Sequence, residues 1–192
     1  MSNHEELMMQ SLDAQRELFK QRRFLAMPLA GAVIWAIIGM VAMFASETVI
    51  IWSIWIGCGS IFYLGMVIAK LTGEDFFGKK AQKNAFDGLF MAGVVMSLLV
   101  FAIAMPVAAI DHKTIPLTVG ILAGLMWMPL SWIIQHWVGY FHSIARTLGI
   151  VMLWLLVPEH IYTLIPLWIV LVYSICIIVM ERRYKTLKAT LD

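Results

Sequence analysis

Long apolar runs separated by short polar stretches divide the chain between residues 24 and 180. A helix that crosses a bilayer needs roughly 20 mostly apolar residues, and six runs approach that length. We therefore predict an all-α fold, a polytopic integral membrane bundle of six transmembrane helices. The predicted spans are 24–44, 48–71, 84–110, 115–135, 142–157 and 161–180.

Two prolines and one short run make this pattern irregular. Pro106, near the end of the third predicted span, is expected to bend the helix or end it early. Pro129 lies within the fourth and has no amide hydrogen to donate, so a kink is expected between Trp127 and Trp132. The fifth span is short, with an uninterrupted apolar core only over residues 148–157.

Polar segments flank the predicted six-helix domain, residues 24–180. Residues 1–23 predict a cytoplasmic amphipathic helix that starts with a capping box, either Ser2 with Glu5 or Asn3 with Glu6. Its apolar side chains fall around one side and include Leu7, Met8, Leu12 and Phe19. Such a helix could lie on the bilayer, pair with a copy of itself, bind a partner, or simply be solvated. Residues 181–192 are expected to form a basic cytoplasmic tail.

Composition agrees with a membrane protein. Hydrophobic residues make up 61% of the chain and the mean hydropathy is +0.85, whereas soluble domains contain roughly 45–50% apolar residues. The net charge of +2 lies in short loops and provides no basic surface for nucleic acid. Cys58 and Cys176 fall inside apolar runs, where we expect them to pack as small apolar side chains.

The basic residues predict the orientation. Every Lys and Arg except Lys113 falls on one side of the predicted membrane, and basic residues near helix ends remain cytoplasmic. Both termini are therefore expected in the cytoplasm. The loops on the other side are very short, so a large extracellular ligand would find little to bind.

Small and polar residues of the fourth span form one stripe. Gly120, Gly124, Trp127, Ser131 and Gln135 follow the spacing of a single helix face. Small residues let lipid-embedded helices approach each other, so this stripe is expected to face protein. A residue beside the stripe, Val119, is expected to face lipid.

Two ionisable residues near the predicted spans have competing interpretations. Asp87 lies in the first turn of the third helix, where the helix dipole and Lys83 favour an acid, and it is also a candidate for a site. Arg146 shares a helix face with His142 and Gly149. Its side chain either extends to the headgroups or has a protein partner, and we expect that partner to be Asp87.

Topology places several polar residues at one cytoplasmic level. The stretch "SWIIQHWVGYFHSIAR" is interpreted mostly as a re-entry hairpin, with a pocket beside it. His136 and His142 share no helix face, and neither a cysteine nor a carboxylate nearby completes a metal site, so no metal is expected. The pocket candidates are Asp87, Pro129, Ser131, Trp132, Gln135, His136, His142 and Arg146.

Two motifs carry a resemblance to a known family. They are "FLAMPLAGAVIWAIIG" in the first span and "WMPLSW" in the fourth, which polar and aromatic residues follow directly. With these motifs the chain resembles a family of small bacterial multi-pass membrane proteins of unknown function. The resemblance implies a location in the bacterial inner membrane and draws attention to Pro129, Ser131 and Trp132. It implies no activity.

Enzyme motifs are absent from the sequence. We find no Ser-His-Asp hydrolase motif, P-loop or Gly-rich dinucleotide turn, so we expect neither catalysis nor a cofactor. The leading hypothesis is a transporter or channel for a small solute or ion, with a cytoplasm-facing polar pocket where spans three, four and five meet. The alternative is an interaction or sensor protein that engages a partner, or a second copy of itself, through its N-terminal helix. An enclosed cavity touching Arg146 and Gln135 would favour transport, and a solid bundle with a docked N-terminal helix would favour interaction.

Overall fold

Six helices are long and apolar enough to cross a membrane. The computed structural model describes residues 11–74 and 85–190, and within these ranges it is helical with no strand. The all-α fold and the six spans are confirmed. From the first span to the sixth they are Ala26–Phe44, Glu47–Thr72, Ala85–Ile110, Thr114–Ile134, Val138–Leu156 and Pro158–Ala189.

A short helix, α1 (Leu12–Lys20), precedes the first span. The Ser11 side chain caps it by accepting a hydrogen bond from the Ala14 amide at 3.2 Å. Phe19 is buried against the bundle, whereas Leu12, two turns earlier on the same side of the helix, is 63% exposed. Gln15 takes the buried position beside Phe19, because its side-chain oxygen accepts a hydrogen bond from the Ala85 amide at the start of the third span. The predicted capping box lies outside the described residues.

The third and fourth spans are each interrupted. The third consists of the helices Ala85–Leu99 and Phe101–Ile110, with Pro106 inside the second. The fourth consists of Thr114–Gly124 and Trp127–Ile134. Pro129 has no amide hydrogen, so it cannot make the helical hydrogen bond to the carbonyl of Leu125. The interruption lies at Leu125 and Met126. The fourth span is therefore interrupted about one turn before Pro129, just ahead of the stretch from Trp127 to Trp132 in which the kink is expected.

Two helix ends differ from the prediction. The fifth span begins at Val138, four residues before the predicted start at residue 142. Only residues 135–137 separate it from the end of the fourth span. Gln135 adopts a left-handed conformation with φ of 50° and ends the fourth span abruptly. The sixth span continues past residue 180 to Ala189. Most of the predicted basic tail is thus an extension of this helix.

Side chains are arranged as expected for a bundle in lipid. Large apolar residues such as Trp52, Ile56 and Leu99 lie exposed on the outside. Small residues such as Ala30 and Ala104 are fully buried between helices, where they let the backbones approach. The first span packs against the second and the sixth, and the fifth packs against the fourth and the sixth.

One end of the bundle is rich in polar contacts. Four parts of the chain meet there: α1, the end of the second span, the turn between spans four and five, and the end of the sixth span. We call this the basic end. Lys20 donates to the Gln135 side chain at 2.9 Å, and Arg23 binds Glu181 with an N–O distance of 2.8 Å. Arg183 donates to the Lys20 carbonyl at 2.8 Å. These bonds fix α1 against its own bundle.

The orientation remains a prediction, and accessibility labelling would test it. Single cysteines at Lys113 and Lys188, in a variant lacking Cys58 and Cys176, lie at opposite ends of the bundle. An impermeant thiol reagent should label only position 113 in intact cells, because basic residues mark the cytoplasmic side. Labelling of position 188 in intact cells would contradict the orientation.

Candidate functional site

Arg146 lies deep inside the bundle. It is eight residues into the fifth span, about 12 Å along the axis of the helix, and is only 1% exposed. A side chain so placed does not reach the headgroups, so the snorkelling interpretation is wrong. Arg146 lies deeper than the sequence predicts because the fifth helix begins at Val138 and not at residue 142.

The Arg146 guanidinium group contacts the protein through Nε, through Nη1 and through the faces of two aromatic rings, but Nη2 has no hydrogen-bond partner among the described residues. Nε donates to the carbonyl of Gly120 at 2.6 Å. Nη1 lies 3.3 Å from His142 Nε2 and 3.3 Å from the Tyr173 hydroxyl. The rings of Trp35 and Tyr173 each have their centroid 5.5 Å from the guanidinium carbon. The last nitrogen, Nη2, is buried and has no hydrogen-bond partner among the described residues.

His142 supports Arg146 from one turn earlier. Arginine can only donate, so His142 Nε2 must accept and the ring is a neutral tautomer with its hydrogen on Nδ1. Nδ1 lies 3.5 Å from the thiol sulfur of Cys176. The ring also stacks on Trp127, with centroids 4.1 Å apart. Contacts on the ring face and at both nitrogens therefore hold His142 in one orientation.

The predicted pairing of Arg146 with Asp87 is wrong. Asp87 pairs with Arg22, with a distance of 3.3 Å between Arg22 Nη2 and Asp87 Oδ2. Asp87 lies in the first turn of the third span, near the basic end, whereas Arg146 lies near the middle of its helix. Within residues 11–74 and 85–190, no carboxylate lies within 4.0 Å of the Arg146 nitrogens.

Arg146 forms part of the wall of a cavity of about 90 Å³. We call it the Arg146 cavity. It extends from the middle of the bundle toward Phe24 at the basic end, and side chains from all six spans line it. The walls are mostly apolar and rich in aromatic and methionine side chains, and Tyr173 provides a hydroxyl beside the guanidinium group. The lining includes Met27, Trp35, Phe62, Phe90, Phe101, Met126 and Trp127.

A second, more polar pocket of about 220 Å³ opens at the basic end. We call it the vestibule; its wall includes Arg22, Arg23, Thr72, Glu74, Asp87 and Tyr184. Phe24 and Phe90 line both the vestibule and the Arg146 cavity, so these two rings separate the two spaces.

Glu74 joins the vestibule to the start of the first span. Its carboxylate accepts hydrogen bonds from the Ala26 amide at 3.1 Å and the Leu25 amide at 3.3 Å. Burial raises the pKa of Glu74 above its ordinary value, and these amides and the charge of Arg23 act in the opposite direction. The hydrogen bond to Glu181 raises the pKa of Arg23. The vestibule wall is therefore a network of opposite charges.

Four predicted pocket residues lie elsewhere. Ser131, Trp132, Gln135 and His136 line an open groove with Arg16 at the surface of the basic end. Ser131 fastens the turn there: its hydroxyl accepts from the Tyr140 amide at 3.1 Å and contacts the His136 carbonyl. Burial and the charge of Arg183 lower the pKa of His136. The predicted single constellation is thus divided among the Arg146 cavity, the vestibule and this groove.

The fourth-span stripe faces the fifth span. A methyl group at Gly124 would lie 2.8 Å from Arg146 Cδ, and one at Gly120 would lie 2.9 Å from Ile150 Cδ1. Trp127 continues the stripe through its stacking on His142. Val119 is 0% exposed, so its predicted lipid-facing position is wrong. The first half of the fourth span is surrounded by other helices on more sides than the stripe alone indicated.

Sequence reasoning missed Trp35 and Tyr173. Both lie near the middle of apolar runs, where an aromatic residue facing a cavity has the same sequence signal as one facing lipid. No local sequence signal identifies them, since the close packing of Tyr173 on Gly31, where a methyl group would lie 2.5 Å from the hydroxyl oxygen, joins residues far apart in the chain.

Arg22 and Asp87 should be energetically coupled. Their side chains are 18% and 21% exposed, so solvent screens the pair only in part. We expect Arg22→Gln and Asp87→Asn each to lower thermal stability in detergent, and the double variant to lose less than their sum by about 1 kcal/mol. Additive losses in this double-mutant cycle would show that the contact contributes nothing specific.

Comparison with known proteins gives one match. The model of a family described as "Family of unknown function (DUF7010)" matches residues 12–183, which is most of the chain and includes all the residues of the Arg146 cavity. No curated protein matches the chain, and no solved structure matches it.

Proposed function

The chain belongs to the DUF7010 family, and we propose that it is a membrane carrier that binds a small solute at Arg146. The observation that carries this proposal is the buried Nη2 of Arg146, which has no hydrogen-bond partner among the described residues, on a side chain that lines a cavity. An unpaired charge in a low-dielectric interior is costly. A solute that supplies an acceptor or a negative charge relieves that cost, and so gains affinity.

The vestibule provides a route for such a solute. It opens at the end of the bundle that the basic residues assign to the cytoplasm, and only Phe24 and Phe90 lie on both it and the Arg146 cavity. Rotation of these two rings would connect the spaces without moving a whole helix. The carrier would thus load from the cytoplasmic side, in the bacterial inner membrane that the family resemblance implies.

Binding by a carrier fits the walls better than conduction by a channel. Pores that conduct ions replace the hydration shell with rings of carbonyl or charged groups. The Arg146 cavity presents one guanidinium group and few other polar groups among aromatic and methionine side chains. Arg146 lines this cavity, but Gln135, which was expected to line it too, lies in the surface groove. The expected polar pocket between spans three, four and five is therefore replaced by an apolar cavity with one cation.

The alternative role, interaction through the N-terminal helix, ranks second. Phe19 and Gln15 of α1 are buried on the protein's own bundle, and Arg22 and Arg23 hold the following segment there. A docked helix agrees with the interaction role, but the bundle is not solid, because the Arg146 cavity lies inside it.

Uptake into proteoliposomes would test the carrier role. Radiolabelled chloride, nitrate, pyruvate, phosphate and choline would be offered to vesicles containing the wild type, Arg146→Met or Arg182→Met. Arg182 is an exposed arginine at the basic end and provides the matched control. We expect faster uptake of at least one anion than in empty vesicles, lost in Arg146→Met and kept in Arg182→Met. Uptake of none of these solutes, or equal uptake by wild type and Arg146→Met, would overturn the carrier role.

A further inference from the structure

We propose that the Arg146 cavity recognises a small monocarboxylate with a short apolar tail. This inference rests on the carrier proposal and adds the chemical class of the solute. It follows from the number of free hydrogen-bond donors, the single positive charge, and the size and character of the walls.

Two donors remain available beside each other. Arg146 uses Nε for the Gly120 carbonyl and Nη1 for His142 and Tyr173, which leaves the hydrogens of Nη2. The Tyr173 hydroxyl accepts from Nη1, and no described residue accepts its own hydrogen. A carboxylate has two oxygen acceptors on one carbon and would accept from Nη2 and from this hydroxyl. His142 holds the guanidinium group in the orientation that leaves Nη2 free.

The charge favours a monoanion. One uncompensated guanidinium group balances one negative charge, and among the described residues no second cation lines the Arg146 cavity. A phosphate carries up to two charges and three oxygens that require donors, so its desolvation would be only partly compensated here. A neutral amide would leave the positive charge of Arg146 unbalanced.

The walls favour a short apolar tail. Met27, Phe62, Phe90 and Met126 line the same cavity as Arg146 and Tyr173. Its volume of about 90 Å³ is smaller than the roughly 150 Å³ of an engineered apolar cavity that holds benzene. Such a space accommodates a tail of roughly three to five carbons and excludes the extended chain of a fatty acid from the bilayer.

Ligand binding to the purified protein in detergent would test this inference at pH 7.5. The probes are butyrate; butyramide, which has nearly the same shape without charge; butylammonium; phosphate; and oleate, which represents an acid drawn from the lipid. Trp35 and Trp127 line the cavity, so tryptophan fluorescence and thermal shift both report occupancy. We expect saturable binding of butyrate alone.

Two variants connect the binding to the proposed donors. Tyr173→Phe removes one hydrogen bond and should weaken butyrate binding about three- to tenfold. Arg146→Met removes a charged donor and should weaken it at least about tenfold. Arg182→Met, outside the cavity, should bind as the wild type does. Tyr173→Phe keeps the aromatic packing and therefore tests the inference even if Arg146→Met does not fold.

The outcomes separate this inference from the carrier role. Butyramide, phosphate or oleate binding as well as butyrate, or an unchanged affinity in Tyr173→Phe, would overturn the monocarboxylate assignment. If butyrate does not bind but another anion shows Arg146-dependent uptake, the monocarboxylate is wrong and the carrier role stands. If butyrate binds as expected but no solute is taken up, the site is correct and the carrier role fails.

Discussion

Gly139→Ala is expected to destabilise the protein strongly, because Gly139 contacts backbone atoms of the neighbouring helix. The new methyl would overlap the backbone carbonyl oxygen of Trp127, and would lie 2.8 Å from Ser131 Cβ and 3.1 Å from the Ser131 amide nitrogen. Backbone atoms cannot rotate away, so the fourth and fifth spans would have to separate. Overpacking of this kind costs typically about 1–3 kcal/mol, and occasionally more.

A glycine in open surroundings provides the control for this prediction. A methyl group at Gly59, in the middle of the second span, would meet nothing within 4 Å. Gly59→Ala should therefore be neutral, or stabilising by up to about 1 kcal/mol through helix propensity. Thermal unfolding in detergent would compare the two variants. Equal midpoints would show that spans four and five are not in close contact at Gly139.

Arg146→Met is expected to leave the protein folded and its thermal midpoint unchanged or higher, although it should abolish the proposed solute binding. Methionine fills a similar volume without an unpaired buried charge. Replacing buried ionic groups with apolar side chains of similar size is often neutral or stabilising by about 1–4 kcal/mol. A site kept for binding rather than for stability has this signature.

Arg22→Met provides the contrast, because it removes the ion pair between Arg22 and Asp87 and should lower the midpoint. Both midpoints would be measured by thermal unfolding without added solute. A large loss of stability in Arg146→Met would instead mean that its bonds to Gly120, His142 and Tyr173 are structural. The carrier proposal would then lose the residue on which it depends.

The architecture was predictable because the bilayer imposes it. A span requires about 20 apolar residues, and polar stretches separate the six runs along the chain. Pro129 likewise predicted an interruption, since the loss of one amide hydrogen acts locally. These features depend on the sequence within one or two turns of helix.

The depth of Arg146 and the direction in which each polar side chain faces could not be predicted, because they depend on contacts between residues far apart in the chain. Arg146 lies deeper than predicted because Gln135 adopts a left-handed conformation, which a glutamine rarely does, and thereby shortens the turn. Hydropathy gives the level of a residue in the bundle but not the direction in which it faces. Asp87, His136 and Arg146 were for that reason placed in one cluster, whereas the structure divides them among three spaces.

The hydrogen bonds from the Leu25 and Ala26 amides to Glu74 have a consequence for biogenesis. These amides start the first span, but their acceptor follows the end of the second. During synthesis, the first helix enters the membrane with its leading amides still bonded to water, and they gain the carboxylate only after residue 74 leaves the ribosome. The hydrogen bonding at the start of the first helix is therefore complete only once the second span has been made, and a nascent chain arrested before Glu74 would lack the acceptor of these two amides.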